Sequence, residues 1–407
     1  MIARGPIDIA PVNRSTHPAP VTTHVRLVGA FAFFVIVVSF LDTMAQLPVL
    51  PPFVRSLGAG AGLVGIVLAA YSIANMAGNI GAGFIIDRFG RKAGIVVGMA
   101  VAGSAVALYA AVTSSQQLLV LRVLHGLGGA ILVPAAFAFA GDSARSRNAG
   151  RAMGRAGAAV ALAALIGPAG GGIFAATFGP RPLFLTLAAL MAMTAVLVVS
   201  FLPESYREPR REAIPFSQRL LPVFRDQRLV FVYVAVFFVQ TAMGTLSFAL
   251  PLAVDAAGFS TARTGALLSI FSLVAIVFFV APTAGLSDRY GRPVVIRIGM
   301  LTLSVALGIL SLGTSLGGMA FAMVVYGIGY GLIFPALCAT VVDCTALANR
   351  GTGFGVFYAV FSLGVAAGPI ASGVAAEAGV SPTAIVALAL VAAQLILFAV
   401  DRASARK

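Results

Sequence analysis

Apolar runs, parted by only a few polar residues, follow one another from about Leu27 to near Val400 of this 407-residue chain. Each approaches the roughly 20 residues that an α-helix needs to cross a hydrocarbon core of about 30 Å. In lipid, backbone polar groups must be satisfied within the segment, so runs of this length can only be helices. Hydropathy and loop breakers place twelve of them at about 27–52, 61–86, 93–113, 116–141, 151–177, 181–202, 229–255, 263–286, 294–314, 317–342, 351–377 and 381–400. Only 10% of the residues are charged, too few for the surface of a water-soluble domain. The expected class is an all-α membrane protein with twelve transmembrane helices.

The formal net charge of +14 would raise the question of nucleic acid in a soluble protein. Here the basic residues sit in short loops on alternate sides of the runs, so no nucleic-acid face is expected. With the N-terminus inside, the outer loops hold only Arg55, Arg181 and Arg263, and Arg122 alone falls within a helix. An excess of Arg and Lys marks cytoplasmic loops, so both termini are expected in the cytoplasm. Lysine appears only at 92 and 407, a bias of GC-rich bacterial genomes, and the expected location is a bacterial cytoplasmic membrane. The first run lacks a small-residue cleavage pattern and reads as a retained helix. Cys338 and Cys344 lie near the end of one run, and both read as inert packing residues.

Pro203 to Arg228 is the only long polar stretch after the leading tail, and it divides six runs from six. Its charges read as a solvated linker with a short amphipathic helix on the inner face. Across it the chain repeats itself at an offset of about 201 residues. Asp87, Arg88, Gly90 and Arg91 answer to Asp288, Arg289, Gly291 and Arg292; Pro134 and Asp142 answer to Pro335 and Asp343; Gly167 and Pro168 answer to Gly368 and Pro369. The expected layout is a tail (1–26), a six-helix bundle (27–202), the linker (203–228), a second pseudo-symmetric six-helix bundle (229–401) and a tail (402–407). Six is even, so both bundles insert in the same orientation and leave a cavity between them.

Gly83 to Lys92, with Asp87, Arg88, Gly90 and Arg91, forms a short inner loop. Glycines allow a tight turn, while the carboxylate and arginines can pair across a partly shielded seam. Taken alone, the loop is also satisfied by a topology signal. The stretch resembles the signature loop of the major facilitator superfamily, which implies the major facilitator fold and a conformational latch. In that latch Asp87 faces the start of the eleventh helix near Gly351, Arg91 reaches Asp142, and the outward-open state is held. Asp288, Arg289, Arg292 and Asp343 would form a weaker mirror copy.

The fifth run carries Gly167, Pro168, Gly171 and Gly172, resembling the Gly-Pro-x-x-Gly-Gly motif of antiporters in this superfamily. Small-residue helix packing also accounts for it. The fourth run holds Leu121-Arg122-Val123-Leu124-His125-Gly126, similar to the family's Arg-x-x-Gln-Gly motif with histidine in place of glutamine. An intramembrane arginine is costly unless it faces a cavity or a partner, so Arg122 is either functional or a buried tether. His125 joins a proton path or is a hydrogen-bonded packing residue. The first run has Phe40-Leu41-Asp42-Thr43, then Gln46 and Leu47-Pro48, resembling drug:proton antiporters of the tetracycline-exporter type. Asp42 and Arg122 lie at comparable depth in the outer half, where the two can meet. Their repeat positions in the second half are uncharged, which favours a coupling role for Asp42, Arg122 and His125.

Gln46, Gln240, Tyr326, Tyr330 and Tyr358 are polar groups in apolar runs, some of them expected to line a substrate cavity. No nucleotide-binding loop, metal-ligand cluster or catalytic triad pattern appears, so neither cofactor nor metal is expected and an enzyme or receptor is a remote reading. The resemblance implies a proton-coupled efflux antiporter of small apolar or amphipathic compounds, working as a monomer. A proton-coupled importer or a facilitator on the same scaffold is the alternative, and sodium can stand for the proton.

Overall fold

The computed structural model describes residues 21–142, 149–202, 204, 226–280, 286–313, 315–345 and 350–404. Regular structure among them is helical throughout: α1 (Val21–Gln46), α2 (Leu50–Ser56), α3 (Ala61–Phe89), α4 (Arg91–Tyr109), α5 (Ser115–Asp142), α6 (Ala149–Phe178), α7 (Pro180–Phe201), α8 (Gln227–Ala256), α9 (Thr261–Val280), α10 (Leu286–Tyr290), α11 (Arg292–Leu312), α12 (Leu316–Cys344), α13 (Arg350–Glu377) and α14 (Pro382–Ser404). Among the described residues, eleven segments are long and apolar enough to cross a membrane, and α14 contributes a shorter apolar stretch, Pro382–Phe398. The expected amphipathic helix of the linker lies outside the described residues.

Helix ends fall where local chemistry stops or starts a helix. Gly90 and Gly291 adopt φ of +96° and +89°, a region that strains any residue with a Cβ, and so α3 and α10 end there. The Asp226 carboxylate caps α8 by accepting from the Arg228 N–H at 2.8 Å, and the Ser315 hydroxyl accepts from the Gly318 N–H at 3.1 Å at the start of α12.

The first apolar run departs from the expected single helix over 27–52. α1 ends at Gln46, a turn covers Leu47–Val49, and α2 begins at Leu50. Pro48 cannot donate in the middle of a helix, whereas Pro51 and Pro52 fall in the first turn of α2, where the missing N–H groups have no intrahelical acceptor anyway. The end of the eighth run, 281–285, lies outside the described residues.

Packing repeats on either side of the linker. Before it, α5 lies against α3 and α4, α4 against α7, and α1 against α6; after it, α12 lies against α9 and α11, α11 against α14, and α8 against α13. The buried side chains follow the same division. One core draws only on residues 229–397, a second only on 32–202, and a third on 45–188 with Phe248.

Two helix pairs make most of the contact between the sets, α3 with α13 and α6 with α9, and α8 adds smaller contacts with α2 and α3. A Cβ on Gly65 would overlap the Pro369 carbonyl oxygen, and one on Gly265 would overlap that of Pro168. The Gly62 N–H donates to Glu377 Oε1 at 2.9 Å, the Thr261 hydroxyl to the Gly172 carbonyl at 3.1 Å, and the Ser269 hydroxyl to the Leu165 carbonyl at 2.7 Å. All lie toward the end that carries Arg55, Arg181 and Arg263. About three turns before Pro168 on the same face, Gly157 has open space beside it; about three turns before Pro369, Tyr358 is 52% exposed. The paired helices meet at the charge-poor end and part toward the other.

Candidate functional site

Asp42 lies on α1 one turn before the Leu47–Val49 break and is only 3% exposed. Gln46, four residues on and hence on the same helix face, donates from Nε2 to Asp42 Oδ1 at 2.7 Å. The other carboxylate oxygen, Oδ2, lies 2.6 Å from Nε2 of His125 on α5. The second ring nitrogen of His125, Nδ1, lies 3.0 Å from the Tyr109 hydroxyl at the end of α4. Asp42, Gln46, His125 and Tyr109 are all buried. With the imidazole neutral and protonated at Nε2, the Tyr109 hydroxyl donates to Nδ1; with imidazolium, both nitrogens donate outward.

Arg122 does not meet Asp42, contrary to the expectation from their matching depth. Its Nε donates to the Val67 carbonyl at 3.3 Å and a terminal nitrogen to that of Leu68 at 3.2 Å, both on α3. Its charge lies 4.8 Å from the centre of the Tyr71 ring. Backbone carbonyls and a ring face give the desolvated guanidinium the partners that a carboxylate would otherwise provide. Tyr71 also meets His125 edge-on, with ring centroids 4.8 Å apart. It stands between the two basic groups.

The glycines after His125 make this arrangement possible. A Cβ on Gly126 would overlap the Tyr71 carbonyl oxygen, and one on Gly129 would lie 2.6 Å from the Tyr71 hydroxyl. The expected antiporter glycines meet α1 in the same way. A Cβ on Gly167 would lie 2.7 Å from that of Met44, and one on Gly171 would overlap the Ala45 carbonyl. Both neighbours fall between Asp42 and the break in α1. Gly172 faces the other way, toward Thr261 and Gly265 of α9.

The loop motifs are placed only in part. The side chains of Asp87, Asp142 and Asp288 lie outside what the structure describes, as do the surroundings of Gly83 and Gly351. Arg88 and Arg289 are exposed, each over the ring that follows it, Phe89 and Tyr290. Arg292 Nε donates to Asp343 Oδ2 at 3.1 Å, and a terminal nitrogen donates to Ser287 at 2.7 Å. In the first copy Glu204 supplies an unforeseen partner. Its Oε1 accepts from the N–H of Arg91 at 2.9 Å and from that of Lys92 at 3.4 Å, a carboxylate at the N-terminus of α4. Gly90 has no room for a Cβ because Glu204 fills the space.

Among the expected cavity residues, Gln46 belongs instead to the Asp42 cluster. Gln240 and Tyr326 are fully buried, Tyr330 is half-buried and Tyr358 is exposed. Tyr71, Tyr109 and Glu204 carried no sequence signal, being a tyrosine in each of two apolar runs and one charge among many in the linker.

The profile of the Major Facilitator Superfamily matches residues 32–284 and 232–407. The chain is 26% identical over 348 residues to multidrug resistance protein 2 of Bacillus subtilis, covering 83% of this chain and 86% of that relative. It is 25% identical over 349 residues to the multi-drug resistance efflux pump PmrA of Streptococcus pneumoniae, covering 82% and 85%. Among solved structures it is similar to a bacterial homologue of the human lysosomal transporter Spinster, with TM-score 0.73, 15% identity and 92% of each chain covered. It is also similar to the nucleoside transporter NupG, with TM-score 0.75, 15% identity and coverage of 91% and 98%.

Proposed function

The chain belongs to the Major Facilitator Superfamily and is a multi-pass membrane transporter, and on that premise we propose that it is a proton-coupled efflux antiporter of small apolar or amphipathic compounds. The observation that carries the coupling is the buried Asp42–His125 contact of 2.6 Å. A titratable pair held deep in a span is expensive and is kept where protons are bound and released. The efflux direction is taken from the named relatives.

In this reading twelve spans form two six-helix bundles, 27–202 and 229–401, which rock against each other around a central cavity as a monomer. Both termini lie in the cytoplasm of a bacterial cell, so the closed charge-poor end faces outward and the conformation is inward-open. Gly167 and Gly171 couple the proton site to that motion, because α6 touches α1 beside Asp42 and α9 across the seam. Protonation of the Asp42–His125 pair removes a buried charge and biases one arrangement; substrate biases the other.

Purified protein in proteoliposomes with an imposed pH gradient tests the reading. Substrate-dependent proton movement against the substrate is expected. Comigration would make the protein a symporter, and the absence of proton movement would make it a facilitator.

The inner loop is proposed as the latch of the outward-open state, with Asp87 docking on the start of α13. Asp87→Asn should then shift the resting population further toward inward-open and slow transport with binding retained. A partly shielded charged contact is worth about 1 to 3 kcal/mol, so a near-balanced equilibrium moves by about 5- to 150-fold. Asp288→Asn should do less, because Pro293 stands where the first copy has Lys92. Spin-label distances across the outer ends of α1 and α8 measure both, and an equal effect of the two changes would reduce the loop to a topology signal.

A further inference from the structure

The internal repeat superimposes two sites that have diverged in chemistry. About 201 residues after His125 stands Tyr326, and about 200 after Tyr71 stands Phe271. The contact is kept, since Phe271 meets Tyr326 edge-on at 5.3 Å as Tyr71 meets His125 at 4.8 Å. What differs is the charge and its satisfaction. In the first half every ring nitrogen of His125 has a partner, and of that cluster only Gln46 Oε1 is without one among the described residues. In the second half the Tyr326 hydroxyl and Gln240 Oε1 are both buried without a hydrogen-bond partner among the described residues. An unmet buried polar group is a standing penalty that a bound ligand relieves.

The surroundings say what kind of ligand. Gln240 Nε2 donates weakly, at 3.5 Å, to the Tyr330 hydroxyl, which leaves its carbonyl oxygen as the open acceptor. Tyr330 stacks on Phe334 at 5.8 Å and an interplanar angle of 11°, and Phe271, Phe279 and Phe361 complete a continuous wall of rings on α9, α12 and α13. The described acidic residues of this half, Asp226, Asp255, Asp343 and Glu377, sit at or beyond helix ends, so no carboxylate faces the rings as a counter-ion. The wall reaches open space through Tyr358, whose ring lies 6.0 Å from Phe361.

Resting on the transporter reading above, we propose that Gln240, Tyr326 and Tyr330 form a substrate subsite for flat aromatic compounds carrying an N–H or O–H donor. The rings take the aromatic face and Gln240 Oε1 takes the donor, with the Tyr326 hydroxyl as second partner. Recognition through an open acceptor discriminates strongly against an analogue that lacks the donor, because the acceptor then stays unpaired.

Carbazole and N-methylcarbazole differ in that single donor and serve as probes. Binding to the full chain in lipid nanodiscs is read by probe fluorescence against empty discs and without a gradient, and the chain itself adds no tryptophan signal. Wild type should bind carbazole about 10-fold more tightly than the methylated analogue. Gln240→Leu should abolish that ratio. Tyr326→Phe, which keeps the shape of the core, should lower it to about 3-fold. A wild-type ratio of one, or an undiminished ratio in both variants, would overturn the subsite. The antiport reading is decided separately by proton movement in proteoliposomes.

Discussion

Replacing Asp42 with asparagine should abolish gradient-driven accumulation, by about 100-fold or more, while equilibrium binding of substrate and its exchange persist. Asparagine fills the same space and its side-chain oxygen can still accept from the His125 ring N–H, so α1 and α5 stay joined and the cavity is unaltered. It cannot take up or give back a proton, and the site loses the two charge states that distinguish loaded from empty. Uphill transport in the mutant at the wild-type level would remove Asp42 from coupling. His125→Gln then separates the two roles open to the histidine. Glutamine can hydrogen-bond to Asp42 without titrating, so a coupling histidine leaves transport present with a displaced pH profile, and a packing histidine leaves the profile where it was.

The second large effect concerns closure at the charge-poor end. Gly65→Ala and Gly265→Ala each place a methyl group on a backbone carbonyl of the opposing helix, Pro369 and Pro168. Neither a main-chain oxygen nor a proline-bearing turn can move aside as a flexible side chain would. Overpacking of about 1–3 kcal/mol would shift the conformational equilibrium about 5- to 150-fold toward the arrangement with this end open. Transport should fall correspondingly, with the folded yield retained. Spin labels at Ser56 and Ala257, after replacement of the free cysteines Cys338 and Cys344, report the separation. Unchanged distance distributions in both variants would mean that the seam does not set the resting state.

The fold was legible because the relevant signals are long. Twenty apolar residues between glycine and proline breakers fix a helix within a few positions, and the repeat of Asp87-Arg88-x-Gly90-Arg91 at Asp288 exposes the internal symmetry. The break in α1 was harder to see, since Pro48 ends a helix that Pro51 and Pro52 immediately restart. Around the candidate site, Asp42, Arg122 and His125 were all legible as candidates, but the expected contact was assigned to the wrong one of the two basic residues. Opposite charges at equal depth pointed to Arg122. The structure chooses His125, one turn further on, because the carbonyls of Val67 and Leu68 and the ring of Tyr71 satisfy the arginine first. Backbone acceptors from a neighbouring helix leave no mark in the sequence. Gln46 is the opposite case: its four-residue spacing from Asp42 was readable, and only its assignment to the cavity hid it.

Where α3 meets α13 and α6 meets α9, the seam between the two helix sets is made largely from glycine, proline and main-chain carbonyls. Its fit therefore depends on very few identities, chiefly Gly65, Gly172, Gly265 and Gly373. Residues that face the open space, such as Tyr358, take no part in it and can be exchanged without disturbing how the two sets close. On the proposed function, single substitutions on the open face would change what is bound there while the close-packed seam stays under separate constraint.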